Sequence, residues 1–168
     1  NYTFTNNNSN NVATEAVSFN NSPAFTTAYS YDSKENITSK AITLADNTTF
    51  NVVNTYDSKN RITSTGYGSA EQTYTYDQYG QLTQTVDTAN GFTESYTYDS
   101  RGNILTKTKV YDDVNTPAET TTFIYGNSAW PDELTSVNGT SLTYDANGNV
   151  LTYGNMEFEW TDGRELAE

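Results

Sequence analysis

The sequence predicts an all-β protein, an antiparallel meander of tandem β-hairpins, and three observations lead to that prediction. Tyrosine and threonine, which are strong strand formers, are abundant: the 168 residues include 14 Tyr and 30 Thr. No long stretch repeats apolar residues every 3.6 positions, as an amphipathic helix would. A short motif containing Tyr, Asp and Gly returns along the chain, and each copy has the pattern of one hairpin.

The motif is a Tyr-x-Tyr-Asp segment followed by a turn, an aliphatic residue and Thr. Its aspartates are separated by 25, 20, 22 and 46 residues, and the last gap predicts a degenerate copy at about 123–135. A shortened final copy occupies 158–166. The signature residues of the repeat are Tyr31, Asp32, Tyr56, Asp57, Tyr76, Asp77, Gly80, Tyr98, Asp99, Gly102, Tyr144, Asp145, Gly148, Trp160 and Gly163.

The local chemistry of each copy favours a hairpin. Alternating Tyr and Thr describe a strand with two unlike faces. The Asp carboxylate is expected to accept hydrogen bonds from backbone amides two or three residues on, and Gly takes the positive φ that ends the turn in a bulge. Two copies lack this Gly. Asn60 tolerates a positive φ, but Glu35 does not do so easily, so its turn is expected to be different or looser.

The other ends of the hairpins have turn signals of their own, at 46–47, 90–91, 138–139 and 154–155. Longer links are expected at 66–70 and at 112–118, where Pro117 interrupts any ladder. The sum is roughly a dozen strands in one sheet, and open sheets beyond about ten strands curl, split or close. We therefore predict one long ribbon, curled into a spiral or a shell wall.

Residues 1–28 match the motif less well than the rest. They are predicted to form an irregular or degenerate leading segment, followed at 29–168 by about seven tandem copies, two of them degenerate. Within this segment Tyr2 to Phe4 has the pattern of a strand, the Asn-rich tract 6–11 that of a surface loop, and 19–25 that of an irregular linker or damaged repeat. The whole chain is expected to be a fragment of a larger protein.

The composition excludes several functional classes. Without His or Cys there is no His-based triad, thiol nucleophile, disulfide framework or zinc site of His and Cys. The 8 Lys+Arg and 21 Asp+Glu give a net charge of −13, which repels phosphate backbones, so no nucleic-acid partner is predicted. No apolar run approaches the roughly 20 residues that cross a bilayer, so no membrane insertion is predicted either.

Three patterns have a chemical interpretation beside a structural one. Asp112-Asp113 and Glu157/Glu159 are carboxylate pairs of the kind glycosidases use, but a loop and a strand face explain them more simply. The turns offer oxygen ligands for Ca²⁺, yet each has one carboxylate where tight sites have several. The tyrosine stripe suits sugar stacking, but regular Tyr at alternate positions more often packs between hairpins. We predict no catalytic residue, cofactor or metal.

The recurring Tyr-x-Tyr-Asp-x-x-Gly-Asn-aliphatic-Thr motif resembles the YD repeat of the RHS-repeat family. That family includes bacterial RHS polymorphic toxins, wall-associated RHS proteins, the C component of insecticidal toxin complexes and animal teneurins. The resemblance covers about residues 29–166 and is strongest around Asp77, Asp99 and Asp145. It implies a ribbon coiled into a hollow shell around a C-terminal toxic domain. The family's self-cleaving motif is absent, so no autoproteolytic residue is transferred.

The resemblance and the residues together predict a non-enzymatic segment of an RHS-type shell, in a secreted or cell-surface bacterial protein. Its expected partners are further RHS repeats and a C-terminal toxin or effector domain of the same chain, which the shell encloses or presents. The alternative is a β-repeat module that binds carbohydrates or cell-surface proteins through tyrosine-lined surfaces. An enzyme is disfavoured because His, Cys and clustered carboxylates are missing.

Overall fold

The computed structural model describes residues 1–20, 22–163 and 165–167, so Arg164 of the last copy lies outside the described residues. The regular elements of this part are strands, and no helix there could cross a membrane. They are β1 (Tyr2–Asn6), β2 (Val12–Phe19), β3 (Ser22–Tyr31), β4 (Ile37–Leu44), β5 (Thr49–Tyr56), β6 (Ile62–Tyr67), β7 (Ala70–Tyr76), β8 (Leu82–Asp87), β9 (Phe92–Tyr98), β10 (Ile104–Tyr111), β11 (Glu119–Ile124), β12 (Ser136–Val137), β13 (Thr140–Tyr144), β14 (Val150–Tyr153), β15 (Met156–Glu157), β16 (Trp160–Thr161) and β17 (Glu165–Leu166).

Fifteen of these strands form one antiparallel sheet. Each strand pairs with its neighbours in sequence, so the order in the sheet from β1 to β15 is the order along the chain. The strands β16 and β17 form a separate two-stranded ribbon. Because β1 and β15 are the two edges and do not pair with each other, the sheet is open. The predicted all-β antiparallel meander is confirmed.

The two faces of the sheet differ in chemistry, as the period-two pattern predicts. Tyr98 lies opposite Ile104, and Tyr96 lies opposite Lys107, on the face that carries the signature tyrosines; we call it the aromatic face. The other face, which we call the threonine face, carries hydroxyl pairs across neighbouring strands. These are Thr5–Thr14, Thr43–Thr49, Thr97–Thr106, Thr108–Thr120 and Thr143–Thr152, with oxygens 2.6–3.3 Å apart.

The described residues form a single-layer sheet without a hydrophobic core. Among the described residues no apolar side chain is buried, and only Thr27 and Asp87 are, each 2% exposed. The accessible surface is 11264 Å², whereas a compact monomer of this mass would have about 8,200 Å². Stability therefore depends on the backbone ladder and on contacts between adjacent strands.

The leading segment is part of the same sheet. The tract 6–11, predicted as a surface loop, begins with the last residue of β1 and continues at 7–11 as a tight surface turn between β1 and β2. The Asn7 side-chain oxygen accepts hydrogen bonds from the backbone amides of Ser9 and Asn11, both at 3.0 Å, and Asn10 has φ 66°. These bonds are the same as those of the Asp turns described below, with Asn in the place of Asp.

The stretch at 19–25 also differs from the expected irregular linker. Pro23 lies in β3 and pairs with Ser18 of β2. Among the described residues the irregularity is a register shift between Val17 and Ser18, which places the proline where the ladder is already interrupted. Strand β3 then continues through position 28 to Tyr31, so the sheet has no break where the tandem copies were predicted to begin.

Two predicted connections need correction. Gly66 lies inside β6, paired with Val53, and the turn consists only of residues 68–69, because Tyr67 pairs with Ala70. The longer link expected at 66–70 is therefore wrong, whereas 112–118 does separate β10 from β11. The strand expected from Met156 to Trp160 is divided between β15 and β16.

The turn at Glu35 is the same as the other turns of the repeat. Glu35 has φ 68°, and its backbone amide donates to the Asp32 carbonyl oxygen at 3.1 Å. The Asp32 carboxylate accepts from the amides of Lys34 and Asn36, both at 2.9 Å. The expected looser turn is thus wrong: the bonds to Asp32 hold Glu35 in the left-handed region, at a steric cost of about 1–2 kcal/mol.

Replacing Glu35 with glycine is expected to stabilise the protein. Glycine removes the left-handed strain, but it also gives the unfolded chain more freedom, so the expected net gain is about 0.5–1 kcal/mol. The change in stability is measured as the shift of the urea unfolding midpoint, with the m-value unchanged. Ser33→Gly, in the same exposed turn but without a positive φ, is the matched control and should be destabilising. Equal effects of the two substitutions would contradict the assignment of strain to Glu35.

Candidate functional site

The turns of the repeat share one hydrogen-bonding arrangement centred on the signature aspartate. At Asp99 the carboxylate accepts from the backbone amides of Arg101, at 2.8 Å, and Asn103, at 2.9 Å. The Asp99 amide donates to the Asn103 carbonyl oxygen at 2.9 Å, and the Gly102 amide donates to the Asp99 carbonyl oxygen at 3.2 Å. The carboxylate thus binds amides two and four residues on, rather than two or three. The same bonds occur at Asp32, Asp57, Asp77 and Asp145.

The residue four positions after the aspartate usually binds the second carboxylate oxygen. The side-chain amides of Asn36, Asn103 and Asn149 donate to Asp32, Asp99 and Asp145 at 2.8–3.0 Å. Arg61 replaces this amide with its guanidinium, whose Nε and Nη2 both lie 2.7 Å from Asp57 Oδ2.

These bonds stabilise the ionised form of the turn aspartates. The side chain of Asn36 lowers the pKa of Asp32 below its ordinary value, and the backbone amide of Asn149 does the same for Asp145. At Asp99 burial acts in the opposite direction, and the hydrogen bonds from Asn103 outweigh it, so this pKa is also lowered. The carboxylates of Asp32, Asp99 and Asp145 are therefore charged parts of their turns at neutral pH.

The glycines of the signature occupy the position that needs a positive φ. Gly80, Gly102 and Gly148 have φ of 92°, 97° and 82°. Each is followed by a register shift in the hairpin, as a bulged turn requires. Gly163 has φ 81° but lies instead in the short turn between β16 and β17.

The tyrosine directly before the aspartate of each motif connects its hairpin to the preceding one. Its hydroxyl donates to the backbone carbonyl of the first residue after the preceding turn or link. The five bonds are Tyr31 to Val12, Tyr56 to Ile37, Tyr76 to Ile62, Tyr98 to Leu82 and Tyr144 to Leu134, at 2.6–2.9 Å. In the shortened last copy the indole nitrogen of Trp160 donates to the Val150 carbonyl at 2.7 Å. The signature side chains therefore form a series of contacts between successive repeats.

Removing one of these hydroxyls is expected to weaken the protein by about 1 kcal/mol, the usual net contribution of a hydrogen bond. Tyr98→Phe is the appropriate variant, because its bond to the Leu82 carbonyl is the shortest of the five, at 2.6 Å. Denaturant unfolding measures the effect. Tyr79→Phe is the matched control, since the Tyr79 ring is 80% exposed. If both variants unfolded at the wild-type midpoint, the inter-repeat bond would have no role in stability.

The turns also contact one another at one end of the strands. Lys34 Nζ donates to the Ser58 carbonyl oxygen at 2.8 Å, and the Asn36 side chain donates to Asn60 at 3.2 Å. Further along, the Asn103 side chain donates to Asp132 at 3.0 Å. Successive turns are thus joined by polar side chains as well as by the ladder.

Sequence reasoning missed a second kind of aspartate, at the opposite end of the hairpins. Asp87 is 2% exposed, and its carboxylate accepts from the Gln72 side chain at 2.7 Å. It also accepts from the side chain of Asn90 at 2.9 Å and from the backbone amides of Ala89 and Asn90 at 3.0 Å. The Asn90 side chain, and then that of Gln72, lower the pKa of Asp87. The only sequence signal was an Asp three residues before Asn90-Gly91.

A charged cluster on the aromatic face was also missed. Lys107 forms an ion pair with Glu94 at 2.8 Å, and the Tyr96 hydroxyl donates to Glu94 at 2.8 Å. Burial, and then this bond to Glu94, raise the pKa of Tyr96 to about 12. Lys109 Nζ lies 3.8 Å from the centre of the Phe92 ring. We interpret the cluster as cross-strand packing.

The carboxylate pairs have no arrangement that suggests catalysis. Asp113 caps its own loop, accepting from the Asn115 amide at 3.0 Å and from the Thr116 hydroxyl at 3.1 Å. Glu157 and Glu159 are exposed on the surface. Within the described residues no three His, Cys, Asp or Glu side chains are close enough to hold a metal ion.

Comparisons with known proteins agree with this geometry. The family model described as Teneurin YD-shell matches residues 4–163. A structure of the Photorhabdus luminescens Tc holotoxin pore has a TM-score of 0.65 and 16% identity over 88% of this chain. A TcdB2-TccC3 crystal structure has a TM-score of 0.64 and 15% identity over 97% of this chain. The matches cover 9% and 10% of those chains, so this chain spans about a tenth of their length. No curated protein matches.

Proposed function

The chain belongs to the teneurin YD-shell family, and from this premise we propose that it is a non-enzymatic wall segment of an RHS-type shell. The observation that carries the proposal is the open single-layer sheet, in which no described apolar side chain is buried. A sheet of this kind separates two spaces without enclosing a core of its own. The tandem copies at 29–168, with the leading segment before them, would then be consecutive strips of the wall.

The wall would act mechanically and sterically. Turn aspartates fix the register of each hairpin, and the signature tyrosines join each hairpin to the one before it. The two open edges are β1 and β15, where further repeats of the same chain would extend the ladder. In the proposed arrangement the shell belongs to a secreted or cell-surface bacterial protein, and it encloses or presents a toxin or effector domain of that protein.

Electron cryo-microscopy of the full-length parent protein tests the proposal. We expect a continuous ribbon of YD hairpins around an internal volume, with this chain as part of the wall. Limited proteolysis of the same sample should leave the polypeptide downstream of the repeats intact for longer than exposed linkers. A repeat region that forms an extended rod, with no enclosed volume and with rapid loss of the downstream polypeptide, would contradict the proposal.

A binding module for carbohydrates or cell-surface proteins is the second candidate. It is favoured by exposed aromatic rings at the β1 end of the sheet, where Tyr2 and Phe4 are each 60% exposed and Phe19 is 75% exposed. Aromatic faces of this kind can stack on sugar rings. Titration of the chain against a glycan panel tests this function: saturable binding that Tyr2→Ala weakens would support it, and no binding to any glycan would remove it.

A further inference from the structure

A groove separates the turn at Asp77 from the turn at Asp99. It has a volume of about 650 Å³, and its lining includes Gln81, Tyr98 and Arg101 as well as the two aspartates. Tyr79 and Tyr96 also line it, so the lining contains three tyrosines and two aspartates. Aromatic and acidic groups thus surround a space that no side chain of the described residues fills.

The equivalent position one repeat earlier is filled by a side chain of the protein itself. Arg61 follows Asp57 by four residues, as Gln81 follows Asp77. Its guanidinium carbon lies 4.5 Å from the centre of the Tyr76 ring, and its Nε and Nη2 lie 2.7 Å from Asp57 Oδ2. This geometry combines cation–π stacking with a charge-assisted hydrogen bond. The repeat itself therefore shows which chemical group suits the space between two turns.

The Asp77 turn lacks the donor that the other turns have. In four of the five aspartate turns the second carboxylate oxygen receives a bond from the side chain four residues on. Gln81 provides no such bond, although it occupies the same place; its side-chain nitrogen lies over the Gly102 turn instead. Among the described residues, Asp77 is the one repeat-turn aspartate whose second carboxylate oxygen, Oδ2, receives no bond from the side chain four residues on. Asp77 also lines the groove.

We propose that this groove binds the arginine side chain of another polypeptide segment. The guanidinium would stack on Tyr98 and donate to the second oxygen of Asp77, as Arg61 does at Tyr76 and Asp57. The choice of a polypeptide as the source rests on the proposed function, in which the wall faces a polypeptide. A net charge of −13 attracts basic segments in general, and the groove provides the specific position.

Arginine fits this groove better than lysine does. A planar guanidinium offers a face to the ring and N–H groups in its plane to the carboxylate at the same time, whereas an ammonium is a point charge. Arg101 is the one cation in the lining, against Asp77 and Asp99, so one negative charge remains in excess. Arg101 forms no ion pair with either aspartate in the described part of the chain, and its removal should therefore strengthen binding of a second cation.

The test is an NMR titration of the chain with acetyl-arginine-amide peptides, monitoring the Tyr98 ring and the Gly102 amide. We expect saturable shifts at these positions, with binding at least about fivefold weaker for the matched citrulline peptide, which has the shape of arginine without its charge. Gln81→Arg should fill the groove and abolish the shifts, whereas Gln84→Arg, which adds the same charge at an exposed strand position, should preserve them. Arg101→Gln should increase the affinity.

Three results would overturn the proposal. They are the absence of saturable shifts at Tyr98, equal binding of the arginine and citrulline peptides, and loss of binding in Arg101→Gln, which would indicate an anionic or sugar ligand. Circular dichroism of each variant shows whether it folds. Asp77→Asn removes the negative charge of this carboxylate from the groove while preserving the shape of the turn residue, and is a second variant beside Gln81→Arg. The peptide titration is independent of the microscopy, so a failed arginine site leaves the shell proposal standing.

Discussion

Asp87→Ala is expected to lower the thermal unfolding midpoint by about 5–10 °C, more than loss of any other carboxylate in the chain. The reason is the number of groups that depend on Asp87. Its two oxygens accept four hydrogen bonds, from Gln72, from Ala89 and twice from Asn90. Removal would leave these donors without partners in a position that is 2% exposed, and an unsatisfied buried donor is costly.

The control for this prediction is Asp46→Ala. Asp46 also lies in a hairpin turn, but it is exposed, and its carboxylate accepts a single backbone hydrogen bond, from Thr48 at 2.9 Å. We expect a much smaller shift there. Asp87→Asn should fall between the two, because asparagine retains one acceptor oxygen but loses the charge. Calorimetry measures all three variants, and a shift for Asp87→Ala no larger than that for Asp46→Ala would contradict the central role of Asp87.

Acidification is expected to unfold the chain cooperatively below about pH 4. Hydrogen bonds in the folded protein lower the pKa values of Asp32, Asp57, Asp87, Asp99 and Asp145 below the ordinary 3.8. The unfolded chain therefore takes up these protons first as the pH falls. The stability that the ionised aspartates contribute is fully present above the ordinary aspartate pKa. It is lost as the pH falls through the lower pKa values of the folded protein, at several turns at once.

The acid effect can be separated from the change in net charge. Urea midpoints between pH 7 and pH 2 measure the slope, and a triple variant with asparagine at 57, 99 and 145 has fewer carboxylates to protonate. We expect this variant to be less stable at pH 7 but to have a flatter acid slope. A control with three exposed glutamates changed to glutamine, at 71, 119 and 165, alters the net charge equally without touching a turn. Equal flattening in both variants would assign the slope to net charge alone.

The features that were predictable from the sequence are those that depend on neighbouring residues. The Asp99 turn is determined within five residues, by one carboxylate and one glycine, and Tyr-x-Tyr fixes the two faces of the strand that precedes it. The strand order of a meander then follows from the short connections. For this reason the all-β class, the repeat and the hairpins were all within reach of sequence reasoning.

The features that were missed depend on distant residues or on a balance of energies. The role of Asp87 requires Gln72, which lies on an adjacent strand and has no fixed spacing in the motif. Asn7 replaces the expected Asp, and no Tyr-x-Tyr precedes it, so its turn was not recognised. At Glu35 a positive φ is sterically unfavourable, as expected for a residue other than glycine, but the hydrogen bonds to Asp32 outweigh this cost.

The groove at Tyr98 illustrates the same limit. The sequence shows that Gln81 and Arg61 occupy equivalent positions, yet it does not show that one side chain reaches the next ring and the other does not. That difference depends on side-chain length and on the distance between two turns. Variation at a single position of the repeat can therefore change a filled contact into an open site without altering the fold.

The signature tyrosine bonds have a direction that bears on how the ribbon is made. Each hydroxyl donates to a carbonyl that precedes it by 10 to 19 residues, as with Tyr98 and Leu82 or Tyr56 and Ile37. During synthesis the acceptor has therefore always left the ribosome before the donor. For these bonds each new hairpin meets an acceptor that has already been synthesised, so a wall of this kind can be assembled strip by strip, in the order of translation.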